Sequence, residues 1–107
     1  MNVHKYKTQG GKDVIEEYLD SLPAKESAAG YDILTSLEED GIVALDNYYI
    51  KHFIGKIWEI KFRKNNRMFY VIFDNDNIYI LHACKKQKNK TEEIDKKKAI
   101  NRAKEFE

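Results

Sequence analysis

Lysine and arginine side chains gather at the ends of three consecutive β-type runs in the second half of this chain. The runs cover residues 57–63, 67–73 and 78–84, and turn-type residues separate them. In an antiparallel meander such strands lie side by side, so their cation-bearing ends meet at one end of the sheet. The cations are Lys61, Arg63, Arg67, Lys85 and Lys86. Since lysine and arginine bind phosphate through charge-assisted hydrogen bonds, this group predicts a phosphate site.

Charge is divided unevenly along the chain. Residues 12–50 carry ten Asp or Glu against two Lys, and residues 51–107 carry fifteen Lys or Arg against eight Asp or Glu, although the whole chain has a net charge of only +1. A basic half of this kind favours a polyanion as ligand. From composition alone the alternative stays open that both halves are ordinary solvated surface.

Length and composition predict a single domain over residues 1–107, because 107 residues support one small core. The single cysteine, Cys84, excludes an intrachain disulfide and a cysteine-cluster metal site. No apolar run approaches the roughly 20 residues that span a bilayer, and the first residues have no signal-peptide core. These features favour a cytoplasmic protein that does not bind membranes.

Hydrophobic spacing predicts two helices before the basic half. The first has its apolar stripe at Ile15, Tyr18, Leu19 and Leu22, and the second at Gly30, Ile33, Leu34 and Leu37. Asp13 is the expected N-cap of the first helix, Pro23 separates the two helices, and Gly41 ends the second. With a weak N-terminal strand and a last helix after Thr91, the order is β-α-α-β-β-β-α. This order predicts an α+β domain, an antiparallel β-meander with an N-terminal helical hairpin and a C-terminal helix, and all helices on one side of the sheet.

Strand alternation separates core candidates from surface candidates. Trp58 alternates with apolar neighbours, so we expect it in the core and not as a platform for stacking bases. By the same argument His82 is expected as a buried, hydrogen-bonded histidine, and Cys84 as inert packing. Glu59 falls on the opposite face from Trp58, where it either orients a lysine or offsets charge.

Several segments of this region together resemble the RelE/HigB superfamily of toxins, in particular its phage-derived HigB-like branch. They are Trp58-Glu59-Ile60-Lys61, the strand from Arg67 to Tyr70, and Leu81-His82-Ala83-x-Lys85-Lys86-x-Lys88-x-Lys90-Thr91, followed by a helix with Ile94, Ala99 and Arg102. The preceding helical hairpin also fits the RelE-like fold. The chain departs from the family pattern at Cys84, where Phe is usual, at Glu92, where Pro is usual, and at Lys61, where Arg is usual.

The resemblance implies a function and a set of partners. Members of the superfamily are small toxins of type II toxin–antitoxin modules, and many of them are endoribonucleases that cut mRNA in the ribosomal A site without a metal or other cofactor. The expected partners are mRNA, the ribosome with its ribosomal RNA, and a cognate HigA-like helix-turn-helix antitoxin that neutralises the toxin in a hetero-oligomer.

Metal-free RNA cleavage assigns chemistry to the cations. A base must take the proton of a 2′-hydroxyl, cations must stabilise the phosphorane, and an acid must protonate the leaving oxygen. Arg63 and Arg67 suit charge stabilisation because arginine stays protonated, whereas Lys61 or Lys85 suits the acid or base. The predicted catalytic set is Lys61, Arg63, Arg67, Lys85 and Lys86. The predicted RNA-binding set is Lys88, Lys90, His52 and Tyr70.

Each assignment has a structural alternative. Lys85 and Lys86 also suit a solvated loop, Arg63 an ion pair with Glu59, and Arg67 the ordinary solvated start of a strand. At the level of function, two alternatives stay open. One is a ParE-like toxin that inhibits DNA gyrase without nuclease activity, and the other is a non-catalytic RNA-binding module.

Overall fold

Five strands form one mixed sheet within residues 1–86 and 93–106, the part of the chain that the computed structural model describes. The strands are β1 (Asn2–Lys5), β2 (Tyr49–Ile54), β3 (Ile57–Phe62), β4 (Asn66–Asp74) and β5 (Asn77–Lys85), in the spatial order β1-β5-β4-β3-β2. β2 to β5 form an antiparallel meander, and β1 pairs with β5 in parallel. The α+β class is confirmed, with one strand more, β2, than the predicted order contained.

The helices of this part of the chain are α1 (Val14–Asp20), α2 (Ala24–Asp40) and α3 (Glu93–Ala103), with short 3-10 helices at Gly41–Asn47 and Lys104–Phe106. α1 begins as predicted, because the Asp13 carboxylate accepts hydrogen bonds from the backbone N–H groups of Ile15 and Glu16. α2 follows Pro23 and ends at Gly41, whose φ of 74° suits glycine. None of the helices described here has both the length and the apolar character needed to cross a membrane.

Gly30 allows α1 and α2 to pack closely. A Cβ atom at this position would overlap the Leu19 side chain and lie 3.2 Å from the ring of Phe62 in β3. A glycine inside a helix costs about 1 kcal/mol relative to alanine. The close approach to Leu19 and Phe62 therefore explains why a helix interior contains glycine here. It also lets the helical hairpin pack closely against the sheet.

Helices cover both faces of the sheet, so the prediction that they lie on one side is wrong. α1 and α2 cover the face that carries Met68 and Ile80, which we call the hairpin face. α3 covers the opposite face, where Phe69 and Leu81 pack with Ala99, and we call this the α3 face. The physical reason is that the central strand β4 is apolar on both sides, so both sides must be buried.

A β-bulge in β5 decides which face carries His82. Tyr70 pairs with Ile80 and Phe69 pairs with His82, so Leu81 is an extra residue between the two pairs. His82 therefore lies on the α3 face with Phe69, although strict alternation places it on the face of Ile80. Its prediction as a buried histidine is confirmed, since it is only 8% exposed.

The prediction that Trp58 lies in the core is wrong, because its side chain is 41% exposed. Trp58 lies in the ladder opposite His52 of β2, and the two rings meet edge to face with centroids 5.1 Å apart. β2 is an edge strand, and within the described part of the chain no further strand covers this margin of the sheet. The alternation of side chains along β3 predicted the correct face for the Trp58 ring, but it did not predict how close the ring lies to the edge of the sheet.

A three-residue turn, residues 63–65, joins β3 to β4 and aligns the cation-bearing strand ends. Within this turn Lys64 and Asn65 have positive φ angles, 62° and 67°. Asn66, which we expected in the turn, begins β4 and is 0% exposed. The resulting register sets Lys61 opposite Arg67 and so positions two of the predicted site residues.

Candidate functional site

Glu59, Arg67 and Lys86 form a buried group of charges on the α3 face, which we call the Glu59 cluster. Glu59 Oε1 lies 3.9 Å from Arg67 Nε and 3.3 Å from Lys86 Nζ. Glu59 is 3% exposed and Arg67 5% exposed, and the Lys86 side chain is 10% exposed. Burying charge is costly unless the charges are compensated. Two cations against one carboxylate leave an excess of positive charge, which suits an anionic ligand.

The hydrogen bonding of the Glu59 cluster is incomplete. The Arg67 guanidinium donates to the carbonyl oxygen of Asn66 at 3.1 Å. The second carboxylate oxygen of Glu59, Oε2, is buried and has no hydrogen-bond partner among the described residues. Because nearly all buried polar atoms in native proteins have a partner, this oxygen indicates a place for a donor from outside the described structure.

Two further predicted site residues lie at the surface beside the Glu59 cluster. Lys61 is exposed on the α3 face, and its Nζ lies 5.6 Å from the centroid of the Tyr49 ring. Arg63 is exposed directly after β3. The alternative of an Arg63–Glu59 ion pair is not observed, because the Glu59 carboxylate faces Arg67 and Lys86 instead.

Lys85 belongs to a second group, on the hairpin face, which we call the Glu26 cluster and which also contains Asn66 and Tyr18. Lys85 Nζ lies 2.9 Å from Glu26 Oε1, and Asn66 Nδ2 donates to the same oxygen at 2.8 Å. The Tyr18 hydroxyl donates to Asn66 Oδ1. The hydrogen bonds from Lys85 and then Asn66 lower the pKa of Glu26, and burial raises the pKa of Tyr18. Lys85 thus reaches the same end of the sheet as Arg67 but on the opposite face.

A third group, His82 with Asp95 and Arg102, joins α3 to the sheet. The Arg102 guanidinium donates to His82 Nδ1 at 3.0 Å and to the Leu81 carbonyl oxygen at 2.9 Å. Because arginine only donates, Nδ1 must accept, and Nε2 carries the proton that it shares with Asp95 Oδ1 at 2.6 Å. Burial lowers the pKa of His82, although Asp95 opposes this effect. The imidazole is therefore neutral and holds α3 in place.

One group of described residues has possible ligand atoms close enough together for a metal ion. It consists of His82, Cys84 and Asp95, whose ligand atoms all lie within 4.8 Å of one another. Both ring nitrogens of His82 are engaged, however, by Asp95 and by Arg102. Burial raises the pKa of the Cys84 thiol to about 12, which opposes the thiolate form that binds metals. The group therefore suits a hydrogen-bond network better than a metal centre.

The structure places two of the predicted RNA-binding residues, His52 and Tyr70, apart from the Glu59 cluster. His52 is exposed on edge strand β2, opposite Trp58, and its Nε2 lies 2.8 Å from the carbonyl oxygen of Gly55. Tyr70 is only 2% exposed in the core of the hairpin face, so a base cannot reach its ring in this structure. Burial also raises the pKa of Tyr70 to about 12. Lys88 and Lys90 lie outside the described residues.

Sequence reasoning missed three residues of these groups. Asn66 was assigned to the turn, whereas in the structure it is the first residue of β4. Glu26 and Asp95 stand in the first turns of α2 and α3, where acidic residues are ordinary because they favour the helix dipole. No local signal distinguishes these two carboxylates from solvated ones.

Comparison with known families finds a match over most of the chain. The family described as "Phage derived protein Gp49-like (DUF891)" matches residues 17–104, a range that includes the Glu59 and Glu26 clusters and α3. No curated protein matches the chain.

Proposed function

The chain belongs to the Gp49-like family of phage-derived proteins, which is associated with RelE/HigB-type toxins, and from this premise we propose that it is the toxin of a type II toxin–antitoxin module. In this proposal it is a ribosome-dependent endoribonuclease. It cleaves mRNA by acid–base chemistry in which no metal takes part.

The observation that carries the proposal is the Glu59 cluster. It holds two cations, Arg67 and Lys86, against a single buried carboxylate, and the exposed Lys61 lies next to them on the same face. A guanidinium binds phosphate with two parallel hydrogen bonds, and fixed cations in a water-poor site stabilise developing negative charge strongly. These are the requirements of a metal-free site for phosphoryl transfer.

The cations then divide into two sets. We assign Arg67, Lys86 and Lys61 to the reacting phosphate, because they lie together on the α3 face. Arg63 and Lys85 lie at the same end of the sheet and are assigned to the neighbouring phosphates of the RNA. Lys88 and Lys90 follow in sequence and belong to the same proposed surface. We leave His52 and Tyr70 out of this surface because of their positions.

The proposed partner is a HigA-like helix-turn-helix antitoxin that neutralises the toxin in a hetero-oligomer. The support for it is the family association, since toxins of such modules are encoded beside their inhibitors. Co-expression with the product of the neighbouring gene should yield a stable complex and restore growth. A neighbouring product that neither binds nor protects would contradict this part of the proposal.

The experiment that tests the function is primer-extension mapping of cut sites. Purified protein is added to one mRNA, free in solution and in translating ribosomes. Cuts confined to ribosomes and in register with codons would support the proposal. Cuts on free RNA as well would indicate a ribosome-independent nuclease. A folded, toxic protein that cuts neither would direct attention to DNA gyrase, and a folded protein without toxicity would favour a simple RNA-binding module.

A further inference from the structure

Oε2 of Glu59, the buried oxygen without a partner among the described residues, can act as a proton acceptor. Oε1 of this carboxylate faces Arg67 and Lys86, whereas Oε2 has no partner in the described part of the chain although it is buried. An ionised carboxylate only accepts hydrogen bonds, so the missing partner must be a donor such as a hydroxyl group. A ribose 2′-hydroxyl is a donor of this kind and is the group by which a protein distinguishes RNA from DNA.

We propose that Glu59 is the general base that takes the proton of the attacking 2′-hydroxyl, and that Lys86 is the general acid for the leaving oxygen. This inference rests on the proposed ribonuclease function and names the residues that move the proton. It replaces the simpler expectation that two lysines share both roles.

In the described part of the chain, the other two carboxylates of these groups form no salt bridge with Arg67 or Lys86. Glu26 accepts from Lys85 and Asn66 on the opposite face of the sheet. Asp95 is hydrogen-bonded to His82. An ammonium group only donates and a carboxylate only accepts, so Lys86 suits the acid and Glu59 suits the base. Within the described residues Glu59 is therefore the carboxylate that contacts Arg67 and Lys86, and its buried Oε2 has no partner.

A phosphate group can replace Glu59 as the partner of Arg67 and Lys86, because the contacts between Glu59 and these cations are long. The distances from Glu59 Oε1, 3.3 Å to Lys86 Nζ and 3.9 Å to Arg67 Nε, are at or beyond the limit of good hydrogen bonds. The scissile phosphate offers both cations shorter, charge-assisted bonds. When Arg67 and Lys86 transfer to the phosphate, Oε2 becomes accessible to the 2′-hydroxyl beside that phosphate.

The reaction then balances within the cluster. The 2′-oxygen passes its proton to Glu59 Oε2 as the bond from the 2′-oxygen to phosphorus forms. The bond from phosphorus to the 5′-oxygen breaks, and the 5′-oxygen takes a proton from Lys86 Nζ. The products are a 2′,3′-cyclic phosphate and a 5′-hydroxyl. The proton on Glu59 returns to Lys86, whose Nζ faces the same carboxylate, and no external reactant is consumed.

The first test compares Glu59→Gln with Glu26→Gln, since each carboxylate contacts a lysine at the same end of the sheet. Single-turnover cleavage is followed in translating ribosomes. Removing a general base should slow the Glu59→Gln variant by about 10²- to 10⁴-fold. The Glu26→Gln variant should keep most of its rate. Near-normal cleavage by Glu59→Gln, or equal losses in both variants, would overturn the inference.

Two further measurements separate a base from a residue that merely holds Arg67 in place. Binding of mRNA with a 2′-deoxy nucleotide at the cut site should be equal for wild type and Glu59→Gln, whereas a positioning role predicts weaker binding by the variant. A 5′-thio leaving group needs no proton, so it should restore cleavage by Lys86→Ala but not by Glu59→Gln. Weaker binding, or thio rescue of Glu59→Gln, would contradict the assignment.

Glu59→Asp keeps the charge balance of the cluster if Glu59→Gln does not fold. Its carboxylate is retracted by one methylene, so we expect slower cleavage with unchanged binding of the 2′-deoxy mRNA, and an unchanged rate would overturn the inference. The wild-type protein serves as the test of the premise. If wild type cleaves no RNA, the proposed function fails, whereas active wild type with active Glu59 variants means that only the base assignment fails.

Discussion

The Glu59 and Glu26 clusters lie at the same end of the sheet, on opposite faces, and each contains a buried glutamate facing a lysine. In the Glu26 cluster one carboxylate balances one lysine, the amide of Asn66 completes the hydrogen bonds, and the Lys85 side chain remains 45% exposed. In the Glu59 cluster the buried Arg67 and the largely buried Lys86 share one carboxylate oxygen, and the other oxygen has no partner in the described structure.

This difference shows how the same residue types serve structure in one place and suit chemistry in another. A balanced, satisfied group stabilises a fold and has little left to offer a ligand. A group with excess charge and an unsatisfied acceptor is costly to bury and is retained where it binds something. The comparison therefore assigns the Glu26 cluster to the fold, with Lys85 as its one proposed RNA contact, and the Glu59 cluster to the proposed phosphate site.

The largest expected effect separates the two lysines. Lys86→Met should lower the rate of mRNA cleavage by about 10²-fold or more, because it removes a cation at the reacting phosphate. Lys85→Met should lower it only slightly, since Lys85 contacts Glu26 on the other face. Single-turnover cleavage with both variants measures the ratio. A larger loss for Lys85→Met would reverse the assignment of the two clusters.

The next effect concerns stability on the hairpin face. Asn66→Ala should lower the free energy of unfolding by about 1–3 kcal/mol, because it leaves the Tyr18 hydroxyl without its partner and leaves Glu26 with Lys85 alone. Urea unfolding measures this change. Asn75→Ala, in the exposed turn between β4 and β5, is the matched control and should change stability by no more than about 0.5 kcal/mol. If both substitutions have the same small effect, the Glu26 cluster does not stabilise the fold.

A smaller effect is expected on the pH dependence of stability, which should differ between the α3 face and the hairpin face. The pKa of His82 in the fold lies below its ordinary value of 6.5, so the unfolded chain takes up the proton first and the α3 face loses stability as pH falls below 6.5. The pKa of Glu26 lies below 4.5, so its contribution is complete above pH 4.5 and is lost as pH falls further, through the lowered value. For His82 the loss is at most about 1.4 kcal/mol per pH unit.

Thermal unfolding across pH assigns these two losses. His82→Gln should remove the loss of stability that begins below pH 6.5, and Glu26→Gln should remove the further loss that begins below pH 4.5. If either variant kept its own loss unchanged, the pKa of that group would not be lowered in the fold.

The smallest expected effect is on metal dependence. A chelator selective for zinc and other transition metals, which leaves ribosomal magnesium in place, should not change the rate of cleavage. Cys84→Ala should behave in the same way, because the thiol serves packing and not ligation. Cleavage that stops with the chelator and returns with added zinc would make His82, Cys84 and Asp95 a metal centre after all.

Much of the fold follows from short-range patterns in the sequence. Asp13 was predicted as the cap of α1 because its carboxylate precedes a helical stripe, and the structure confirms it. The last two strands of the meander follow from runs bounded by turn residues, as at residues 74–77. Errors arose where tertiary context decides, as at Trp58, whose exposure depends on the nearby edge strand.

The candidate site was predictable in its composition but not in its pairing. Cations such as Arg67 and Lys86 stand out in the sequence because they flank apolar strands. The face that each one occupies depends on the register of β3, β4 and β5, and register is a long-range property. This is why Lys85 and Lys86, adjacent in sequence, contact different carboxylates.

The sequence by itself determined the α+β class, the meander, the two N-terminal helices and the concentration of cations at one end of the sheet. These features follow from local propensity and hydrophobic period, which act over a few residues. Only the tertiary structure decided that α3 covers the face opposite the hairpin, that a bulge at Leu81 turns His82 toward α3, and that Glu59 is buried between Arg67 and Lys86. These features depend on contacts between residues far apart in the chain, whose burial and pairing no local pattern encodes.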